Sequence, residues 1–288
     1  MRKTIVSLLT AATFITSACD PAPQATQNEA LPANATQPAA TAMSLTRLDC
    51  GSATIKDFDA FFSDKPGLYE KGPRDVADSC YLIRHGDQML LWDTGFPGKL
   101  AGGEEDMGPL VARLTRTVVQ QLAEIGVKPA DIDVVGISHM HSDHTGKAAE
   151  IPNARLIVGK GDFGQTKGKD DPFSPWRKEG ANVTATTQDV DIFGDGSVVA
   201  LHLPGHTPDH MALLVKLPSG SVLLSGDMYH SREAREKRGV PPFNTSREQT
   251  LASMDKFEKV AKDTGARVII QHEPRDIELL PAFPQAAK

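Results

Sequence analysis

Six residues, His139-Met-His141-Ser-Asp143-His144, place three imidazoles and a carboxylate directly behind the apolar run Ile132 to Ser138. No other feature of this 288-residue chain restricts its fold as strongly. Alternate residues of an extended segment point the same way, so His139 and His141 can grip one ion; once the backbone turns, Asp143 and His144 suit a second. Each ion then needs further ligands from elsewhere in the chain. Candidates stand at the ends of other strand-like runs: His206 in Leu203-Pro-Gly-His-Thr-Pro, Asp227 in Ser225-Gly-Asp and His272 in Ile270-Gln-His. Glycine beside His206 and Asp227 lets the backbone approach closely without a side-chain clash. Two such ions would draw their ligands from the ends of several strands.

The rest of the chain reads as mixed strands and helices. Cys80 to Arg84 and Gln88 to Trp92 form two strands joined by a tight turn, ending at Asp93-Thr-Gly. Leu110, Leu114, Val118, Leu122 and Ile125 recur at helical spacing before Gly126, which predicts a helix. Arg155 to Val158, Val198 to Leu203, Met211 to Leu217, Val222 to Leu224 and Arg267 to Ile270 read as strands, with an inserted loop running to about Asn182. Ser246-x-x-Gln249 predicts a capped helix with Leu251, Met254, Phe257 and Ala261 on one face, stopped by Gly265. With no internal repeat or composition break, residues 44–288 read as one α/β domain.

The formal charge of −6 and the absence of a dense basic face argue against a nucleic-acid partner. Three cysteines without a Cys-x-x-Cys pair exclude a thiolate zinc ribbon and a disulfide scaffold. Met1, Arg2 and Lys3, the apolar run Thr4 to Ile15 and Ser17-Ala18-Cys19 read as a secretory signal over 1–19. Cys19 after Ser17-Ala18 resembles a bacterial lipoprotein cleavage box, although Thr16 replaces the usual branched aliphatic residue; ordinary cleavage after Ala18 stays open. The expectation is an exported, periplasmic protein, touching a membrane only through a lipid on Cys19. Residues 20–43, rich in Ala, Pro, Gln and Thr, read as a flexible tether. In an oxidising compartment Cys50 and Cys80 either pair or stay as buried thiols.

The motifs Asp93-Thr-Gly, His-x-His-x-Asp-His at 139–144, Gly-His-Thr-Pro at 205–208, Gly226-Asp227 and His272 occur in the order seen in the metallo-β-lactamase superfamily, which this chain resembles over nearly all of 45–275. The resemblance implies an αββα sandwich, two β-sheets flanked by helices, in a single domain with the metals at one edge. It implies that His139, His141 and His206 hold one metal, Asp143, His144 and His272 the other, and that Asp227 bridges them. Nitrogen and oxygen ligands suit two Zn²⁺, with Mn²⁺, Fe²⁺ or Co²⁺ as alternatives. Asp93 reads as a hydrogen-bond acceptor for a metal-binding histidine, and His210 as a partner of the site or as core. His85 reads as a solvated turn residue and His202 as a strand-face residue.

Within that superfamily, His141 stands where di-iron oxidoreductases resemble one another in having Glu, and Asp227 supplies a bridging carboxylate that true metallo-β-lactamases lack. The 16 residues after His272 are too few for glyoxalase II helices, and the superfamily's nucleases fit the acidic charge poorly. The chain is most similar to the N-acyl-homoserine lactonases, through Cys80-Tyr-Leu-Ile-Arg, Leu91-Trp-Asp-Thr-Gly, Ser225-Gly-Asp-Met-Tyr-His and Thr250-Leu-Ala-Ser-Met-Asp. It departs from the better-known members at Asp209, where they have Gly, and at His230, where they have a substrate-contacting Tyr. The resemblance implies a small-molecule acyl lactone as substrate, opened by a hydroxide bridging the metals. Tyr229 or His230 would donate to the oxyanion and Asp143 would carry the proton to the leaving alkoxide. Phe96, Met107, Phe173 and Trp176 are candidate liners of a pocket for the acyl tail. The alternatives are a broader lactonase, esterase or organophosphate hydrolase, and a non-catalytic periplasmic zinc-binding protein.

Overall fold

The computed structural model describes residues 42–288, so the signal segment, Cys19 and most of the tether lie outside the described residues. In chain order these residues give β1 (Met43–Ile55), α1 (Phe58–Phe62), β2 (Arg74–His85), β3 (Gln88–Trp92), β4 (Gly103–Asp106), β5 (Leu110–Leu114), α2 (Val118–Glu124), β6 (Val134–Gly136) and α3 (Ser142–Thr145). There follow β7 (Arg155–Gly159), α4 (Lys160–Gln165), β8 (Val183–Thr186), β9 (Val190–Asp191), β10 (Val198–His202), β11 (Met211–Leu217), β12 (Gly220–Leu224), α5 (Arg232–Lys237), α6 (Arg247–Thr264) and β13 (Arg267–Ile269). β1 starts at Met43, the last residue assigned to the tether.

An eight-stranded sheet has the order β4-β5-β1-β2-β3-β6-β7-β8, and a five-stranded sheet the order β13-β12-β11-β10-β9. The alternation of side chains explains how they stack. Tyr81, Ile83, Leu90 and Trp92 meet Val198, Ala200, Leu213, Val215 and Leu224 between the sheets, while Leu82 and Leu91 face outward into a second core against α2. On the far side Leu201, Leu214 and Leu223 pack against Met254, Phe257 and Ala261 of α6. These layers are the αββα sandwich. β2 and β3 read as near-continuous apolar runs because both their faces are buried.

The helix predicted over 110–125 is only half helix. Leu110–Leu114 is β5, paired with β1, and α2 starts at Val118. A spacing of four is even, so a strand face satisfies it as well as a helix does. Thr117 decides the boundary: its hydroxyl accepts from Gln120 N–H at 3.2 Å and the Gln120 side chain accepts from Thr117 N–H at 2.8 Å, a reciprocal cap. The predicted helix at 246–265 forms as α6, with Ser246 accepting from Gln249 N–H and Gly265 closing it at φ +61°. Cys50 and Cys80 are joined as a disulfide between β1 and β2, next to the register shift at Asp49/Gly51.

The stretch between β7 and β8 carries α4 and a short 3-10 turn rather than a plain loop. Phe173 and Trp176 are 0% and 3% exposed in the second core, and the Trp176 indole donates to Ala154 C=O at 2.8 Å. They line no part of the cavity above the metal-type residues. Their aromatic surface serves packing, which is the commoner fate of aromatics in an insertion.

Candidate metal centre

The sheets deliver the cluster by their strand ends. β6 ends at Gly136 and leads to His139, and α3 starts after His141, turning Asp143 and His144 away from it. His206 follows β10, Asp227 sits in the turn after β12, and His272 follows β13, the parallel neighbour of β12. Gly205 has φ +135° and a Cβ there would lie 2.2 Å from Thr250 N; Gly226 has φ +52° and a Cβ would lie 2.7 Å from His210 Nε2. Both approaches require glycine.

Two donor groups result, each able to hold an ion: His139, His141, His206 and Asp227 in one, Asp143, His144 and His272 in the other. In the first, His139 Nε2 and His141 Nδ1 are 2.9 Å apart, and His206 Nε2 is 3.2 Å from each. Donors on a tetrahedral ion with bonds of about 2.05 Å are separated by about 3.3 Å, so this convergence of lone pairs has the scale of a metal site. Asp227 Oδ2 lies 3.4 Å from His206 Nε2 and 3.6 Å from His139 Nε2. Its other oxygen, Oδ1, lies 3.2 Å from His144 Nε2 and 3.0 Å from His272 Nε2. Asp143 Oδ2 stands 3.8 and 3.9 Å from those two nitrogens. Asp227 thus divides its oxygens between the two groups. His144 Nε2 and Asp227 Oδ1 are buried with no hydrogen-bond partner among the described residues, as ligand atoms that await a cation would be.

The outer atoms of the ligands are tied down. Asp93, held at φ +58°, accepts from Ser138 N–H at 2.7 Å and lies 3.0 Å from His144 Nδ1, which leaves Nε2 to face the site. His206 Nδ1 lies 2.9 Å from Asn244 Oδ1, and His272 Nδ1 donates to Ala77 C=O at 2.7 Å. His210 Nε2 accepts from Asp227 N–H at 2.9 Å, so His210 fixes the backbone of the dividing carboxylate. Asp162 accepts from Met140 N–H at 3.1 Å and Asp209 N–H at 2.8 Å, linking the loops that carry His139 and His206. Asn244 and Asp162 carry no sequence signal that singles them out. Asp209, the departure from the better-known lactonases, takes His202 Nε2 at 2.7 Å, and His85 pairs with Asp195 at 2.7 Å while stacking on Phe193. His85 is therefore a tied side chain rather than a solvated one.

Charge differs between the two groups. Burial lowers His139 well below the usual imidazole value and takes His141 down to about 4, with neighbouring histidines adding to the effect. For His144 and His272 burial acts the same way but is outweighed by Asp227 and Asp143, which raise His144 well above its ordinary value and His272 to about 9. Burial likewise opposes the ionised Asp227, yet His272, His144 and His139 hold it well below the carboxylate range.

Tyr229 and His230 part company at the site. The backbone at Tyr229 is extended (φ −143°, ψ 142°), so successive side chains point oppositely. Tyr229 faces α6, where its hydroxyl donates to Glu258 at 3.0 Å and its ring packs on Phe257; it does not reach the cavity. His230 faces the donors, with Nε2 3.1 Å from Asp227 Oδ2 and its ring stacked on Phe62. Above the donors opens a cavity of about 440 Å³ whose apolar wall includes Phe61, Phe62, Phe96, Met107, Leu110 and Phe243. Phe96 and Met107 are among the residues of that wall, and Phe243, 42% exposed and carried beyond β12, joins them without any signal in the sequence.

The family model for the metallo-beta-lactamase superfamily matches residues 73–272. The chain belongs to the metallo-β-lactamase superfamily. Among members of this superfamily, it is 33% identical to the N-acyl homoserine lactonase AttM of Azorhizobium caulinodans over 227 residues, 72% of this chain and 84% of the relative. It is 31% identical to AttM of Rhizobium johnstonii, covering 67% and 81% of the two chains. A solved quorum-quenching N-acyl homoserine lactone hydrolase superposes with a TM-score of 0.73 at 23% identity, over 86% of this chain and 99% of that one. A lactone hydrolase structure with N-hexanoyl-L-homoserine bound at its catalytic metal centre gives 0.71 at 23% identity, over 86% and 100%. These structural likenesses establish the superfamily fold for this chain.

Proposed function

We propose that this chain opens the lactone ring of N-acyl-homoserine lactones with the help of two divalent metal ions, Zn²⁺ first among them. The observation that carries the reading is Asp227, which turns one oxygen to each of two donor groups on the floor of an apolar cavity. The names of the AttM relatives support the choice of substrate. His139, His141 and His206 would hold one ion, Asp143, His144 and His272 the other, and Asp227 both. When bound, such a pair polarises a carbonyl and lowers the pKa of water between them towards 7.

The side chains supply the rest. His230, with burial taking it down to about 4, is neutral at pH 7 and spends its Nε2 on Asp227 Oδ2, so it orients the dividing carboxylate rather than an oxyanion. Asp143, whose side chain is 26% exposed, is the ligand carboxylate open to the cavity, and it carries the proton to the departing ring oxygen. Hydrolysis consumes one water, its hydroxyl going to the carbonyl carbon and its proton to the alkoxide, and the carboxylic acid so formed ionises at neutral pH, releasing one proton per ring opened. Phe96, Met107 and Phe243 receive the acyl tail. We also read the chain as exported to the periplasm, a reading that the Cys50–Cys80 disulfide supports.

The test is a pH-indicator panel of acyl-homoserine lactones, simple lactones, phosphotriesters and β-lactams, run on protein of measured metal content. Acyl-homoserine lactones are expected to be turned over best, and Asp227→Ala to lower that turnover by about a thousandfold or more, on the order of 4 kcal/mol of barrier. Wild-type lactone turnover in both Asp227→Ala and His141→Ala would sink the mechanism. A preference for phosphotriesters would move the chain to the organophosphate hydrolases.

A further inference from the structure

Three buried imidazole or carboxylate atoms lack any hydrogen-bond partner among the described residues: His144 Nε2, Asp227 Oδ1 and Asp78 Oδ2. The first two face the second donor group. Asp78 belongs to β2, opposite Gly51, and is 1% exposed. Its Oδ1 has one long contact, 3.5 Å from Gln271 Nε2. The neighbouring Ala77 exchanges hydrogen bonds with His272, donating from N–H to His272 C=O at 3.1 Å and accepting from His272 Nδ1 at 2.7 Å. Asp78 also shares the cavity floor with Asp143, Asp227 and His272.

A buried carboxylate without a partner is strongly disfavoured, and the side chain either takes a proton or faces a cation. The polypeptide alone therefore does not stabilise the charge. A second ion would.

We propose that Asp78 is a further anionic member of the second half-site, its carboxylate facing the ion that Asp143, His144, His272 and Asp227 would hold. The inference rests on the two-ion reading and not on the identity of the lactone. It makes the second half-site rich in carboxylate oxygen, against three imidazoles in the first. Harder divalent ions such as Mn²⁺ are then favoured at the second position relative to the first.

The experiment compares the full chain with Asp78→Asn, which keeps the shape, and Asp78→Val, which removes the polarity. Zn²⁺ and Mn²⁺ binding are followed by chelator competition, and melting is followed with and without metal. Wild type should bind two ions. Both variants should keep the first and bind the second about 10- to 100-fold more weakly. Without metal both variants should melt higher than wild type, because an unpartnered buried carboxylate has been removed; a residue needed only for packing would give the opposite sign. Wild-type affinity for the second ion in Asp78→Asn, or a lower metal-free melting temperature in both variants, overturns the proposal. A wild-type protein that binds a single ion overturns the two-ion reading and Asp78 with it.

Discussion

The two donor groups share Asp227 and little else. In the first, three imidazole nitrogens converge within 3.2 Å, and burial keeps His139 and His141 neutral, ready to donate lone pairs. In the second, Asp227 and Asp143 lie against His144 and His272 and draw protons onto both imidazoles. One group is an assembled set of neutral donors; the other is a knot of opposite charges in which an ion would replace protons. One edge of one sandwich can thus build two sites of different chemistry, because the strand ends set position while the neighbouring side chains set charge.

The strongest challenge to this contrast is ligand deletion on either side. His141→Ala should remove the ion from the first group and His272→Ala from the second, each lowering lactone turnover by about a hundredfold or more, on the order of 3 kcal/mol. Metal analysis of the two proteins should give one ion each, and loss of both ions from either would show that the groups do not load separately. A smaller effect is expected one step out. Asn244→Ala should weaken only the first ion, by about 10- to 100-fold in chelator competition, since Asn244 orients His206 alone, whereas Asp93→Asn should weaken the second ion by a similar factor and the first by less, because Asp93 touches His144 directly and reaches His139 only through the Ser138 hydroxyl. The smallest effect lies at the wall. Phe243→Ala should raise KM for long acyl chains several-fold, consistent with about 1 kcal/mol of lost contact, and leave short chains unchanged. Trp176→Ala should lower stability yet leave that chain-length profile flat; a tilted profile would restore Trp176 to the pocket.

The metal-type residues were legible because their chemistry is local. Three histidines and an aspartate within six residues, after an apolar strand, have few other uses, and His206, Asp227 and His272 each stand just past a strand that could be read from its apolar run. What was not legible depends on direction or on distant neighbours. Tyr229 and His230 are adjacent, and only the extended backbone between them decides which one faces the donors. Leu110 and Leu114 fit a helix and a strand equally, until the cap at Thr117 marks where the helix starts. Phe173 and Trp176 read as exposed aromatics because nothing local shows the second core closing over them. Asp78 sits in an ordinary strand sequence, and its unusual burial exists only once β1 and the segment around His272 are in place.

The Cys50–Cys80 disulfide bears on how the protein must be made. Gly95 rests so closely on it that a Cβ there would lie 2.7 Å from Cys50 Sγ, and the next residue, Phe96, donates from its N–H to Cys50 C=O at 3.4 Å before turning its ring into the cavity. The crosslink is thus a footing for one wall of the cavity. A recombinant host that keeps its cytosol reducing would deliver the chain without that footing, so secretion or an oxidising strain is the production route that suits this fold.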